Sequence, residues 1–340
     1  MIKSLQLPVT LRDCRIDILR LIALIGIVIA HIGPTDFVMQ LRNFDVPLMV
    51  ILSAISFSLS YRKENYIKYC WKRVKRLIVP TWIFLSIYFL IFEEDDIITI
   101  ITSYLLIWGI GYVWIIRVFF LTSVAAPSLY KFNNIVQSNK KFLIVIFLLF
   151  VVSEGLILLS TNLVATNLIA RTLFISYPYL IIFLFGLRVP SLTKSEMVKT
   201  ILFYAVLFLA FGVILTLISD RIILTGEYKY PPRLYYIVFS FMGSLILYAM
   251  SDKIVTLINK FPQYIKYPLY WLSQHTLWIY LWHIIFVEYV KIYGSSFVRF
   301  IVVFCGASVL TYLQCLCLKY IYPMVKSEVV KKNCKIIFEG

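Results

Sequence analysis

Three ionisable residues, Asp17, Arg20 and His31, stand in the first long apolar stretch of the chain, Ile16 to Ile32. An ionisable side chain inside a bilayer costs roughly 2.5–3.5 kcal/mol on insertion scales, so residues retained there mark functional sites. Arg20 and His31 are eleven residues apart. At about 100° per residue this is close to three turns, which puts both on one face of a helix, roughly 16 Å apart along its axis. Asp17 precedes Arg20 by three residues and can pair with it or orient it. An imidazole titrates near neutrality and can serve as a base or a nucleophile. A guanidinium can bind an anionic ligand or a developing oxyanion. The structural alternative is that Arg20 snorkels to head groups while His31 sits in the opposite interface; one shared face argues for a joint role.

The most basic stretch, Arg62 to Arg76, ends YCWKRVKRLIVP. Arg73 and Arg76 are three apart, as are Lys72 and Lys75, so each pair shares a helix face. Two guanidiniums so placed form a fork for phosphate oxygens; otherwise the cluster only fixes topology or touches anionic lipid. The preceding VPLMVILSAISFSLS carries Ser53, Ser56, Ser58 and Ser60, read as close helix packing rather than as nucleophiles. Arg117 lies within an apolar segment and needs an anionic partner or ligand. Glu154, inside a later segment, is either that partner or a second residue lining the site. His275 and His283 are eight residues apart, roughly 80° beyond two turns, so they share no narrow stripe. With Ser273 and Tyr280 they are read as polar contacts of a bundle interior. A metal site is the weaker reading, because nothing in the spacing fixes a converging ligand set.

Holding these residues requires membrane helices. The 340-residue chain is 61% hydrophobic with a mean hydropathy of +0.88, well above the range of soluble domains. Repeated apolar runs near 20 residues give an all-α, polytopic transmembrane helical bundle. It is expected to form a single membrane domain over residues 1–340, with a core at 12–323 and a cytoplasmic tail at 324–340. Ten spans are expected, at about 16–36, 44–61, 77–93, 113–131, 142–160, 171–188, 199–218, 234–251, 267–290 and 298–322. The stretch 97–112, broken by Gly109 and Gly111, reads as re-entrant or interfacial. The formal charge of +16 is a topology signal: of 33 Lys and Arg, roughly 24 fall at the termini and in even-numbered loops and about 7 in odd-numbered loops. That positive-inside pattern places both termini in the cytoplasm and speaks against a nucleic-acid patch. The basic start, with Lys3, Arg12 and Arg15, has no small-residue cleavage site after it and reads as an uncleaved first span. The six cysteines indicate neither disulfides nor zinc. A small-solute transporter should carry internal repeats and matching broken helices, and a polymerase a long external loop; the sequence has no such features.

The order IDILRLIA…H, V-P-L-x-x-x-x-S, RVKRLIVP, VWIIRVFFL and SQHTLWIYLWH resembles the acyltransferase family 3 of integral-membrane O-acyltransferases, from about Arg15 to His283. The resemblance implies a ten-helix core that moves an acyl group, usually acetyl from acetyl-CoA, to a sugar hydroxyl. The acceptor it implies is a cell-surface polysaccharide or its lipid-linked precursor, and the place a bacterial inner membrane. It also implies that Arg20 and His31 are the essential first-span pair and that Arg73 and Arg76 are the acyl-donor motif. Ser53-Ala54 stands where Ser-Gly is common, which should tighten helix packing and leave the chemistry alone. On this reading Arg73, Arg76 and Lys72 hold the phosphates of acetyl-CoA, and the thioester extends past Arg20, which Asp17 orients. His31 is then a general base or is transiently acylated, and no metal takes part. The partners expected are a glycan acceptor and the bilayer. A glycan flippase or polymerase, or a small-solute transporter, is the competing class.

Overall fold

The computed structural model describes residues 13–290 and 294–339; the basic start at Lys3 and Arg12 lies outside them. Among the described residues there is no strand. In chain order the helices are α1 (Cys14–Ala30), α2 (Asp36–Arg42), α3 (Asp45–Ser60), α4 (Tyr66–Arg73), α5 (Val79–Phe92), α6 (Ile97–Tyr104), α7 (Trp114–Ile135), α8 (Asn139–Leu159) and α9 (Thr161–Thr166). There follow α10 (Leu168–Ser176), α11 (Pro178–Arg188), α12 (Lys194–Ser219), α13 (Leu234–Asn259), α14 (Gln263–Gln274), α15 (Thr276–Val290), α16 (Ser296–Ile321) and α17 (Glu328–Phe338). Among the described residues eight stretches, built on α2–α3, α4–α5, α7, α8, α10–α11, α12, α13 and α16, are long and apolar enough to cross a membrane. The chain is a multi-pass membrane protein.

Two of the expected spans are built differently. The first, α1, has 17 residues, about 25 Å at 1.5 Å per residue, short of a hydrocarbon core of about 30 Å. It stops at Ala30 because His31 caps it, its N–H donating to the Val28 carbonyl at 3.0 Å, and Gly33 then turns the chain at φ +62°. The ninth, 267–290, is broken at His275 into α14 and α15. The stretch 97–112 is the short α6 followed by an irregular hairpin. Gly109 takes φ +71° there, and a Cβ on it would lie 1.8 Å from Ser103 Oγ, the oxygen that accepts the Ile110 N–H at 3.1 Å.

The bundle is organised on α3, which packs against α1, α7, α11 and α13. Most of its side chains are buried on every face, from Asp45 to Phe57, as expected of a helix surrounded by others. By contrast α12 buries only Met197, Thr200 and Tyr204, leaving an apolar outer wall suited to lipid. The alanine at position 54 is accommodated across the α3–α11 contact, not within α3. A Cβ on Gly186 would stand 2.8 Å from Ala54 Cβ and 2.9 Å from Ile51 Cα. Gly186→Ala should therefore destabilise the protein by about 1–3 kcal/mol, seen as a lower melting temperature in detergent. Ala54→Gly in the same chain should restore only part of the loss, since the Ile51 backbone stays in place; an unchanged melting point would refute this close-packing account.

Candidate active site

Two cavities lie end to end inside the bundle. The first, about 260 Å³, is lined by Arg20, Ser53, Ser56, Arg73, Arg76, Ser273, His275 and Glu339 among others. The second, about 200 Å³, is lined by His31, Arg42, Asp45, Trp114, Lys229 and Tyr230 among others. Ile27, Ile115 and Tyr280 belong to both linings, so these three side chains form the wall between them. Arg20, Ile27 and His31, spaced by seven and four, make one stripe along α1, with Arg20 on the first cavity, Ile27 in the wall and His31 on the second.

The basic fork of the first cavity is made by an irregular helix. Pro80 lacks the N–H that would bond the Arg76 carbonyl, and its ring crowds that carbonyl. The chain absorbs this in a π-helical turn, Val74–Ile78, a feature that tends to occur at functional positions. Arg73 ends α4 and Arg76 lies in the π turn, and both reach the cavity. The Arg73 guanidinium stacks over Tyr69, 4.8 Å from the ring centroid, and its Nε is buried without a hydrogen-bond partner. Such an orphan donor suits a phosphate oxygen. Lys72 is turned away: it is ion-paired with Glu64 and does not line the cavity. It lies off the fork because the next residue along a helix points about 100° away. Arg20 donates to Asp17 Oδ1 at 3.3 Å and to Ser56 Oγ at 2.7 Å, and Ser56 in turn donates to the Leu52 carbonyl. Ser53 likewise bonds the Met49 carbonyl at 2.8 Å. These serines are packing and positioning groups.

At the second cavity His31 Nδ1 lies 3.0 Å from His283 Nε2, with the rings stacked at 5.2 Å. His283 Nδ1 contacts the carbonyl of Tyr280. A carbonyl only accepts, so His283 carries its proton on Nδ1 and presents the Nε2 lone pair. With both rings neutral, His31 Nδ1 is then the donor in the pair, which places the basic lone pair of His31 on Nε2. The ring edge of Tyr112 meets His31 at 5.0 Å, Tyr280 donates to the Tyr112 carbonyl at 2.6 Å, and Tyr112 donates to Glu288 at 3.0 Å. Among the described residues no three His, Cys, Asp or Glu side chains converge as a metal-binding group.

The remaining expected residues separate. His275 and His283 do not act together: His275 caps α14, stacks on Trp271 at 4.3 Å and faces the first cavity, while His283 is fully buried beside His31. Ser273, buried on the first cavity, donates to the Tyr270 carbonyl. Arg117 and Glu154 do not meet, and neither lines either of these two cavities. Arg117 donates to the Leu106 and Ile107 carbonyls, both at 2.6 Å, and to Ser176 Oγ at 3.0 Å; it ties down the hairpin that carries Tyr112. Glu154 accepts from Arg233 Nε at 2.7 Å and from the Leu234 N–H at 2.9 Å, and so caps α13 where the helix dipole favours a carboxylate. The tail is also more than a tail. α17 folds back so that Trp278 donates to the Ile337 carbonyl at 2.9 Å and Lys75 to Asn333 at 3.0 Å, bringing Glu339 to the first cavity.

Three charged residues of the second cavity escape a reading of spacing. Arg42 and Asp45 form a buried ion pair, and Lys229 Nζ stands 4.0 Å from Asp45. Gly26 allows this cluster to approach α1, since a Cβ there would lie 3.0 Å from Asp45 Cβ. The only local signal is Arg42 three residues before Asp45, at the junction of α2 and α3; Lys229 arrives from a distant part of the chain. Burial pushes the Lys229 ammonium down to about 8, with Asp45 opposing and Arg42 adding to the shift.

The model of the acyltransferase domain family 3 matches residues 15–320. No curated protein and no solved structure matches the chain. The match spans both cavities and the stripe that joins them, and the chain belongs to this family of acyltransferases.

Proposed function

We propose that this membrane acyltransferase transfers an acetyl group from acetyl-CoA to a sugar hydroxyl of a cell-surface polysaccharide or its lipid-linked precursor, in a bacterial inner membrane. The observation that carries the reading is the pair of cavities sharing one thin wall, with a guanidinium fork on one side and an imidazole base on the other. Donor phosphates bind Arg73 and Arg76 at the cytoplasmic end, and the thioester runs past Arg20 to the wall at Ile27, Ile115 and Tyr280. The acceptor occupies the second cavity. His31 Nε2 takes the proton of the acceptor hydroxyl as its oxygen attacks the thioester carbonyl. The C–S bond breaks as the ester C–O bond forms, and the proton leaves with the CoA thiolate. His283 accepts from Nδ1 and steadies the imidazolium, and Arg20, held by Asp17 and Ser56 on the first cavity, contacts the donor along its path. Attack by His31 itself, giving an acyl-imidazole, would use the same lone pair.

Purified protein in lipid nanodiscs, given acetyl-labelled acetyl-CoA and a surface-glycan fraction, should release CoA thiol and form base-labile ester in equal amounts. Folded protein that yields neither product would sink the reading, and the second cavity would then suit a flippase or transporter.

A further inference from the structure

The second cavity holds more positive charge than the fold uses. Asp45 is already satisfied: Oδ2 pairs with the Arg42 guanidinium, and Oδ1 accepts the Val46 N–H at 2.7 Å. Lys229 Nζ, at 4.0 Å from Oδ1, is beyond hydrogen-bond distance. Its other contact is the Tyr230 ring at 5.5 Å, and among the described residues it makes no hydrogen bond. Arg42 Nε is buried without a hydrogen-bond partner. Lys229 is 6% exposed and Arg42 7%, and both line the cavity. A buried ammonium without a hydrogen bond is costly unless a ligand completes it.

The position of Lys229 is built, not incidental. The Thr225 N–H and hydroxyl both donate to Gln40 Oε1, at 2.9 and 3.0 Å, and Asn43 Nδ2 donates to Thr225 Oγ1 at 2.9 Å. These bonds pin the turn before Lys229 to the α2–α3 corner. Trp114 and Tyr230, their rings perpendicular at 5.3 Å, line the same cavity with aromatic surface of the kind that packs against the C–H face of a sugar.

We propose that the second cavity is an acceptor subsite selective for an anionic sugar, whose carboxylate or phosphate docks on Lys229 and Arg42 against Trp114 and Tyr230 and brings a neighbouring hydroxyl to His31. This rests on the acyltransferase reading for the role of His31, though not for the charge preference. The other titratable side chains on the cavity are Asp45, His31, Tyr230 and Tyr280. With Lys229 lowered to about 8, anion preference should fade as pH rises through that value in the empty site.

The test reads binding before transfer. Nanodisc protein without donor is titrated with methyl glucuronoside, glucose 1-phosphate and neutral methyl glucoside. At least one charged probe should bind about tenfold or more tighter than the neutral one, the scale of one charge-assisted hydrogen bond. Lys229→Met should collapse that ratio to within about threefold, while Lys229→Arg, which keeps the charge, should retain it and show that the site still folds. Preference for the uronoside identifies a carboxylate sugar, and preference for the phosphate a glycosyl phosphate. Equal binding of charged and neutral probes, or a preference that survives Lys229→Met, overturns the proposal. Ester formation with acetyl-CoA is scored separately, and its absence would count against the acyltransferase reading alone.

Discussion

His31→Ala should lower kcat for acyl transfer by about 10²–10⁴-fold, the usual worth of a positioned general base, and leave the KM for acetyl-CoA nearly unchanged. The lone pair that does the work is on Nε2, and its place there depends on a partner 252 residues away in sequence. His283→Leu removes the acceptor for His31 Nδ1–H, freeing the imidazole to turn or to adopt the wrong tautomer. A loss of about 10–100-fold in kcat is expected, comparable with losing the partner that orients a ligand histidine. His283→Gln keeps an acceptor oxygen on the side chain and should recover part of that loss. His31→Ala with His283→Leu should be no slower than His31→Ala alone, because residues acting as a unit are not additive. A double variant slower by the product of the two single losses would mean that His283 has a separate task. A His31→Ala enzyme of near-normal kcat would remove the base from the mechanism.

Arg73→Ala and Arg76→Ala should each raise the KM for acetyl-CoA by about 10–100-fold, from 1.5–3 kcal/mol for a hydrogen bond to a charged group. Arg73→Lys should lie between, since an ammonium keeps the charge but loses the fork. The contrast is Lys72→Ala. Its side chain is spent on Glu64 outside the cavity, so the KM for donor should stay within about twofold, the size of an exposed ion-pair effect. A donor lacking the 3′-phosphate of CoA identifies what the fork holds: if that phosphate is the ligand, wild type loses affinity for the truncated donor and the arginine variants lose little more. If instead both arginine variants change kcat with KM intact, the fork does not bind the donor.

Much of the site can be read along α1 and α4. Asp17, Arg20 and His31 are close in sequence on one helix, and helical geometry alone fixes their shared face. The Arg73–Arg76 fork is legible for the same reason, although Pro80 converts the helix between them to a π turn. Where the ideal helix fails, so does inference from spacing. His275 and His283 are assigned to one span by hydropathy, yet the chain breaks at His275 and the two rings face different cavities. Lys72 shares the motif but not its direction.

The sequence by itself determined that this is an all-helical membrane protein and which face of α1 carries the charge. Those properties follow from apolar run length and the 3.6-residue repeat, both local. Only the tertiary structure decided the partners: His283 for His31, the hairpin carbonyls for Arg117, Arg233 for Glu154, and Lys229 beside Arg42 and Asp45. Each of these partnerships crosses from one element of the fold to another, and a buried polar group takes whichever donor or acceptor packing brings to it. Periodicity carries no record of that choice, because it is made between helices rather than along one.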